Sequence, residues 1–199
     1  MDNKKNKNNP EFRTEFLSWT PFRQSNFITL IFLSETTNTD AVEQVLSCLD
    51  DCPEPVVALF MNTIFTKFSV YQTPLLDYIC DRDNSGHIRL LLAMHITLPH
   101  LLDEATIDCI VSLYMDPYDA IMEPVVEAFV NEHPELALPS LIQHALKPNT
   151  SIRSHQLLQL IGQTKITAIL GDLAEFPQLV VDCIKQIPPH PRPPKTPET

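Results

Sequence analysis

The sequence predicts an all-α protein, a right-handed α-solenoid (an α–α superhelix) of about five stacked helical hairpins. Three observations favour it: little glycine, much proline, and apolar stripes that return about every 32 residues. The 199 residues include 3 Gly and 18 Pro, where average usage would give about 14 and about 10. So few glycines argue against a glycine-rich phosphate loop and against the many tight hairpins of an all-β chain.

Apolar residues recur at positions i, i+3, i+4 and i+7, which is the spacing of one helix face, at four places along the chain, and a partial stripe lies between the first two. The five stripes are Val42/Val45/Leu46/Leu49, Leu75/Tyr78/Ile79, Ile107/Ile110/Val111/Tyr114, Leu138/Leu141/Ile142/Ala145 and Ile166/Ile169/Leu170/Leu173. Each stripe predicts the first helix of a hairpin. The regular interval between them is typical of helical hairpins packed in a row.

A second helix fits after each stripe. These second helices are expected at Pro55–Phe68, His87–Leu98, Ala120–Val130, Ile152–Ile161 and Pro177–Ile187. Thr73 followed by Pro74 predicts a helix start, with an N-cap and then proline at the first helical position, and Asp103 predicts another N-cap. Helices over residues 11–18 and 25–33 would form a degenerate hairpin that caps the row.

Composition divides the chain into four parts. Residues 1–10 carry three lysines in an Asn-rich polar run, which predicts a disordered tail. Residues 11–38 are expected to be the capping helices, and residues 39–187 the repeats. Residues 188–199 hold six prolines and are expected to be a second disordered tail.

Two segments carry a family resemblance. They are Asp83-Asn84-Ser85-Gly86-His87-Ile88-Arg89 and Asn149-Thr150-Ser151-Ile152-Arg153, and their Ile–Arg pairs lie two repeat periods apart. This pattern resembles the short HEAT-like repeats of the PBS-lyase type. The resemblance implies a solenoid that serves as a binding scaffold. It also implies two alternatives, a bilin-lyase-like or other enzyme built on such repeats, and a DNA-repair glycosylase of HEAT-like fold.

The charge of the chain is strongly negative and unevenly placed. The formal net charge is −11, and residues 90–146 contain no Lys or Arg but nine acidic residues. A surface of this sign repels phosphate backbones, which argues against nucleic-acid binding and so against the glycosylase. Two explanations stay open: the acidic residues keep an elongated protein in solution, or they steer a basic partner towards the surface.

We therefore expect a non-catalytic scaffold or adaptor whose acidic surface binds a protein partner with a basic surface. The candidate partner-binding residues are Asp103, Asp108, Asp116, Asp119, Glu123 and Glu127. Asp108 lies opposite the stripe that begins at Ile107, so we expect it to be exposed. The other five are expected at helix starts or turns.

The sequence indicates no catalytic residue set, cofactor or metal site. Residues 81–88 resemble the start of an EF-hand calcium loop, but Leu92 stands where the closing Glu is needed, so a capping turn is expected. The five cysteines lie in apolar stretches, which is typical of reduced thiols in the cytoplasm. No apolar run approaches the roughly 18 residues of a membrane span.

Overall fold

A computed structural model describes residues 9–34 and 36–191, apart from the side chain of Glu175. The remainder of the two predicted tails, residues 1–8 and 192–199, lies outside the described residues. Twelve α-helices and four single 3-10 turns occupy most of the described chain, which contains no β-strand. The helices are α1 (Pro10–Ser18), α2 (Pro21–Leu33), α3 (Thr39–Leu46), α4 (Glu54–Thr66), α5 (Phe68–Cys80), α6 (Gly86–Ile96), α7 (Glu104–Leu113), α8 (Glu123–Glu132), α9 (Pro134–Ala145), α10 (Ser151–Ile161), α11 (Gln163–Leu170) and α12 (Gln178–Lys185). The predicted all-α class is confirmed.

Each predicted helix has a counterpart in the structure. The helices predicted to cap the row correspond to α1 and α2, and those of the five predicted hairpins correspond to α3/α4, α5/α6, α7/α8, α9/α10 and α11/α12. The first four stripes are buried apart from half-buried Ile107 and Ile142, whereas the fifth is half-buried beyond Ile166. Its last member, Leu173, lies in a 3-10 turn after α11 has ended. The superhelix over residues 39–187 stays a prediction.

The predicted helix start at Thr73–Pro74 is wrong. Helix α5 begins at Phe68, directly after Lys67, the single residue that separates it from α4, and continues through Pro74. Proline has no N–H to donate to the carbonyl one turn earlier, so its place inside a helix costs free energy. Burial of Phe68 and Tyr71 in the turn before the proline offsets that cost.

The chain divides into two compact units, Met1–His95 and Ile96–Thr199. In the first unit, α2 packs on α4 and α3 packs on α5, while α2 contacts α3 and α4 contacts α5. Its core includes an edge-to-face pair of Phe32 and Tyr71, with ring centroids 5.4 Å apart. Arg89 is also buried there, and its Nε donates a 2.6 Å hydrogen bond to the carbonyl oxygen of Ile79 near the end of α5.

In the second unit, α9 packs on α7 and α10 packs on α8, so helices two apart in sequence are neighbours. Helix α10 also packs on α9, and α11 contacts both α10 and α12. This is the neighbour pattern of consecutive hairpins that share their buried faces. The core between them is built from fully buried side chains such as Ile110, Phe129, Leu138 and Leu157.

The start of the proline-rich segment lies against the start of α11. The backbone N–H groups of Gln163 and Thr164 donate hydrogen bonds of 2.8 and 3.1 Å to the carbonyl oxygens of Pro188 and Pro189. Gly162 precedes the helix with φ of +79°, and a Cβ there would lie 2.7 Å from the backbone nitrogen of Pro191. Pro188 to Pro191 therefore have fixed contacts, although composition alone predicts disorder from residue 188.

None of the described helices combines the length and the apolar character that a membrane-spanning helix needs.

Candidate functional site

All six predicted partner-binding residues lie in the second unit, and they fall into two groups. The first group is Asp103 and Asp108, which are both exposed. Asp103 is the N-cap of α7, where its carboxylate accepts a 2.8 Å hydrogen bond from the N–H of Thr106. Asp108 is exposed, as the sequence predicts, and accepts a 2.7 Å hydrogen bond from the hydroxyl of Ser140 on α9.

The second group is less available to a partner. Asp116 accepts a 2.9 Å hydrogen bond from the N–H of Tyr118 within a turn, and Asp119 is buried with 7% exposure. Glu123 and Glu127 are half-buried on α8. The expectation that Glu127 lies at a helix start or turn is wrong, because it is one turn inside α8.

Arg153 and Tyr114 bind the two glutamates of the second group. One terminal nitrogen of the Arg153 guanidinium donates a 2.7 Å hydrogen bond to Glu123. The hydroxyl of Tyr114 donates a 3.2 Å hydrogen bond to Glu127. Burial, and then the charges of Glu127 and Glu123, raise the pKa of Tyr114 to about 12, so this hydroxyl keeps its proton. These carboxylates thus contribute to packing inside the unit.

An open groove of about 970 Å³ lies between α7 and α9. We call it the α7/α9 groove. Its polar wall is formed by the carboxylates of Asp103, Glu104 and Asp108, and its apolar wall by Leu136 and Pro139 of α9. The described residues that line it include no Lys, Arg or His. The groove thus joins three carboxylates to an exposed apolar surface.

A buried histidine lies behind the polar wall. The Nε2 atom of His144 is 3.6 Å from a carboxylate oxygen of Asp108 and 3.5 Å from the hydroxyl of Ser112. Its Nδ1 atom is buried, and no residue in the described ranges hydrogen-bonds to it. Burial is the main cause that lowers the pKa of His144, and the charge of Lys147 adds to it. At neutral pH the imidazole is uncharged, so it leaves the charge of Asp108 uncancelled.

The turn at residues 81–86 uses its polar groups within the protein. The carboxylate of Asp81 accepts a 3.1 Å hydrogen bond from the N–H of Asp83, and the side-chain amide of Asn84 donates to the carbonyl of Tyr78. The hydroxyl of Ser85 donates a 2.8 Å hydrogen bond to Asp50. Helix α6 begins at Gly86, directly after Ser85. Because none of these three bonds goes to an N–H of its first turn, the capping role of the Asp and Ser side chains stays a prediction.

Two further features bring titratable or nucleophilic groups together. The thiol of Cys183 lies 3.3 Å from Nε2 of His155, and burial raises the pKa of that thiol. In the first unit, His87, His95 and Met61 line a groove of about 630 Å³ between α4 and α6.

Within residues 9–34 and 36–191, no three or more His, Cys, Asp or Glu side chains are grouped so that they could hold a metal ion.

The sequence predicts two of the three carboxylates in the α7/α9 groove, Asp103 and Asp108, but not Glu104. The apolar wall was not predicted either. Leu136 and Pro139 are three residues apart on α9 and lie off the buried stripe that begins at Leu138, and both are exposed. A leucine on the polar side of an amphipathic helix is the signal from which this wall could have been recognised.

Comparison of the chain with models of known protein families, with curated proteins and with solved structures gives no match. The fold and the site therefore define the class of protein. It is an all-α protein with an acidic and partly apolar groove between two helices. Membership of the HEAT-like repeats stays a prediction.

Proposed function

We propose that this chain is a non-catalytic protein-interaction module, a scaffold or adaptor, and that its α7/α9 groove binds a partner protein with a basic surface. The observation that carries the proposal is the composition of this groove, with three carboxylates on one wall and exposed apolar residues on the other. The proposal also takes the ten repeat helices to form one α-solenoid, which is an architecture that mostly serves binding.

Charge alone would give weak binding. An exposed ion pair contributes about 0.2–1 kcal/mol, so three carboxylates would supply at most about 3 kcal/mol. Burial of one leucine-sized side chain of the partner would add about 1.5–3 kcal/mol. Because association costs at least about 4 kcal/mol in lost freedom of motion, both walls are needed. The charges would mainly set partner choice and association rate.

Exposed negative charge lies beside the apolar wall in the groove. Glu104 and Asp108 are both exposed and both line it, whereas Glu123 is bound by Arg153 and Asp119 is buried. Glu132 and Glu135 are also exposed but do not line the groove, so Glu104 and Asp108 are the carboxylates that a partner in the groove would meet.

A selection experiment tests the proposal. Peptides of about 12 random residues are displayed and selected on the immobilised full-length chain. We expect the recovered peptides to be enriched in Lys and Arg together with large apolar residues. The double variant Glu104→Gln/Asp108→Asn should lose this enrichment, because it removes two charges from the polar wall while the new amides keep the shape and the hydrogen-bond acceptor for Ser140.

The matched control is Glu132→Gln/Glu135→Gln, which removes two exposed carboxylates that do not line the groove. This variant has the same net charge as the groove variant and should recover the same peptides as the wild-type chain. Recovered peptides without an excess of basic residues, or equal losses in the two double variants, would show that the groove is not the binding surface.

A further inference from the structure

We infer that the segment of the partner that occupies the α7/α9 groove is an amphipathic α-helix with Lys or Arg along one edge and large apolar residues along the adjoining edge. This inference rests on the proposed function, because it specifies the partner of the same groove. Three properties of the groove carry it: the spacing of the carboxylates, the exposed face of α9, and the state of the backbone in both walls.

The carboxylates of the polar wall follow the helical repeat. Glu104 and Asp108 are four residues apart on α7, so their positions differ by about one helical turn, a rise of about 6 Å. Basic residues at positions i and i+4 of a partner helix that lies along α7 have the same separation. Asp103, the N-cap, adds a third carboxylate to the polar wall at the start of α7.

The apolar wall is part of one exposed face of α9. Leu136 and Pro139 are spaced as i and i+3, and the polar side chain of Gln143 continues the same line at i+7. Leu136 is 38% exposed, while other faces of α9 contact α7, α8 and α10. A partner helix would cover this line along two turns, with apolar residues against Leu136 and Pro139 and a polar residue against Gln143.

The backbone in the walls favours a helix over an extended segment. Both walls belong to α-helices, whose N–H and C=O groups are already bonded within the helix. An extended peptide would place its own N–H and C=O groups against Leu136 and Pro139 without partners there, which is unfavourable. A helix satisfies these groups internally and presents only side chains to the groove.

Two synthetic peptides of about 14 residues with identical composition test the inference, since that length covers the two turns and their ends. Both contain Leu, Lys, Ala and Gln. In the helix-pattern peptide, Leu and Lys recur at i, i+3, i+4 and i+7 on adjoining edges. In the strand-pattern peptide, the same Leu and Lys residues are placed at alternating positions along the sequence. Binding to the full-length chain is measured by fluorescence anisotropy, and peptide helicity by circular dichroism.

We expect the helix-pattern peptide to bind at least about tenfold more tightly than the strand-pattern peptide and to gain helicity on binding. Leu136→Gln should weaken its binding severalfold. The matched control is Leu146→Gln, because Leu146 has a similar exposure of 45% and does not line the groove. This control should bind the helix-pattern peptide as the wild-type chain does.

The outcomes separate this inference from the proposed function. If both peptides bind equally and Glu104→Gln/Asp108→Asn weakens both, the acidic groove stands and the helical partner is wrong. If the helix-pattern peptide binds more tightly but Leu136→Gln changes nothing, the helix does not lie in this groove and the inference is again wrong. If neither peptide binds, the proposed function and the inference both fail.

Discussion

The guanidinium of Arg153 lies over the ring of Tyr114, 4.3 Å from its centroid, and its Nε donates a 2.8 Å hydrogen bond to the carbonyl oxygen of the same residue. Tyr114 is the C-cap of α7, where carbonyl groups lack partners within the helix. Arg89 makes the equivalent bond to Ile79 near the end of α5. The two Ile–Arg pairs of the sequence thus have one physical role, which is to bind the carboxyl end of another helix.

Replacement of Arg153 should destabilise the second unit. Arg153→Met keeps the apolar stem but removes the hydrogen bond to Tyr114, the contact with its ring and the ion pair with Glu123. Hydrogen bonds of charged groups contribute about 1.5–3 kcal/mol, and cation–π contacts about 0.5–1 kcal/mol. We expect a loss of about 2–4 kcal/mol in the free energy of unfolding, measured by urea denaturation.

The control for this variant is Lys165→Met, which removes an exposed cation from α11. It should change the free energy of unfolding by less than about 0.5 kcal/mol. Arg153→Lys should fall between the two, because an ammonium cannot reproduce the planar fork of the guanidinium. A stability of Arg153→Met equal to that of the control would show that these contacts do not stabilise the unit.

Two glycines with positive φ provide a matched pair. Gly162 has φ of +79° and a Cβ added there would meet the backbone of His190 and Pro191, whereas Gly171 has φ of +76° and open space around it. Alanine should be strained at both positions, at a cost of about 1–3 kcal/mol. At Gly162 the collision with the backbone adds to that cost. We expect Gly162→Ala to be clearly less stable than Gly171→Ala in urea denaturation.

Hydrogen exchange locates the effect. In Gly162→Ala, the amides of Gln163 and Thr164 should exchange faster, because the displaced segment carries their acceptors, Pro188 and Pro189. In Gly171→Ala, both amides should keep their protection. Equal stability of the two variants, with unchanged exchange at Gln163, would contradict the contact between the proline-rich segment and α11.

The stability of the chain should depend on pH through His144. Burial lowers the pKa of His144 below the 6.5 of an unfolded chain, so the unfolded state takes up the proton first as pH falls. The stabilisation is therefore complete above pH 6.5 and is lost as pH falls from 6.5 towards the lower pKa of the folded state. His144→Gln should show a smaller loss of unfolding free energy between about pH 7.5 and about pH 5.5.

The control for the loss of an imidazole is His100→Gln, which removes an exposed histidine. If His144→Gln has the same pH dependence as wild type in urea denaturation, His144 does not titrate with a lowered pKa.

The five cysteines should differ sharply in reactivity. Cys80 is exposed, whereas Cys48, Cys109 and Cys183 are buried. The pKa of Cys52 is raised to about 12, mainly by burial, so very little thiolate is present near neutral pH. A maleimide reagent at about pH 7.5 should label Cys80 first, as read by mass spectrometry of the intact chain and of its peptides. Cys80→Ser should remove the fast phase, and a fast phase that survives would place the reactive thiol elsewhere.

Local pattern predicts the helices because apolar spacing and burial agree. The stripe that begins at Val42 is fully buried, and α3 contains its first three members. Pro74 shows where local pattern fails. A proline after a threonine is a common helix start, but the burial of Phe68 and Tyr71 extends α5 backwards by more than one turn. That burial depends on contacts between distant segments, which local pattern does not contain.

The site could be predicted only in part for the same reason. Asp103 and Asp108 are predictable because a helix start and the face opposite a stripe are local features. Whether Glu123 is free depends on Arg153, which lies 30 residues further along the chain. The groove itself exists because α7 and α9 pack side by side, so its apolar wall could be assigned only once that neighbour relationship was known.

The bonds from Gln163 and Thr164 to Pro188 and Pro189 have a practical consequence for preparing the protein. Helix α11 is capped by residues that follow it by 25 positions, including a 2.7 Å bond from the hydroxyl of Thr164 to Pro189. A fragment cut at Ile187 would leave the start of α11 open to solvent. Affinity tags, fluorophores and fusion partners should therefore be joined beyond Pro191, where they leave this cap in place.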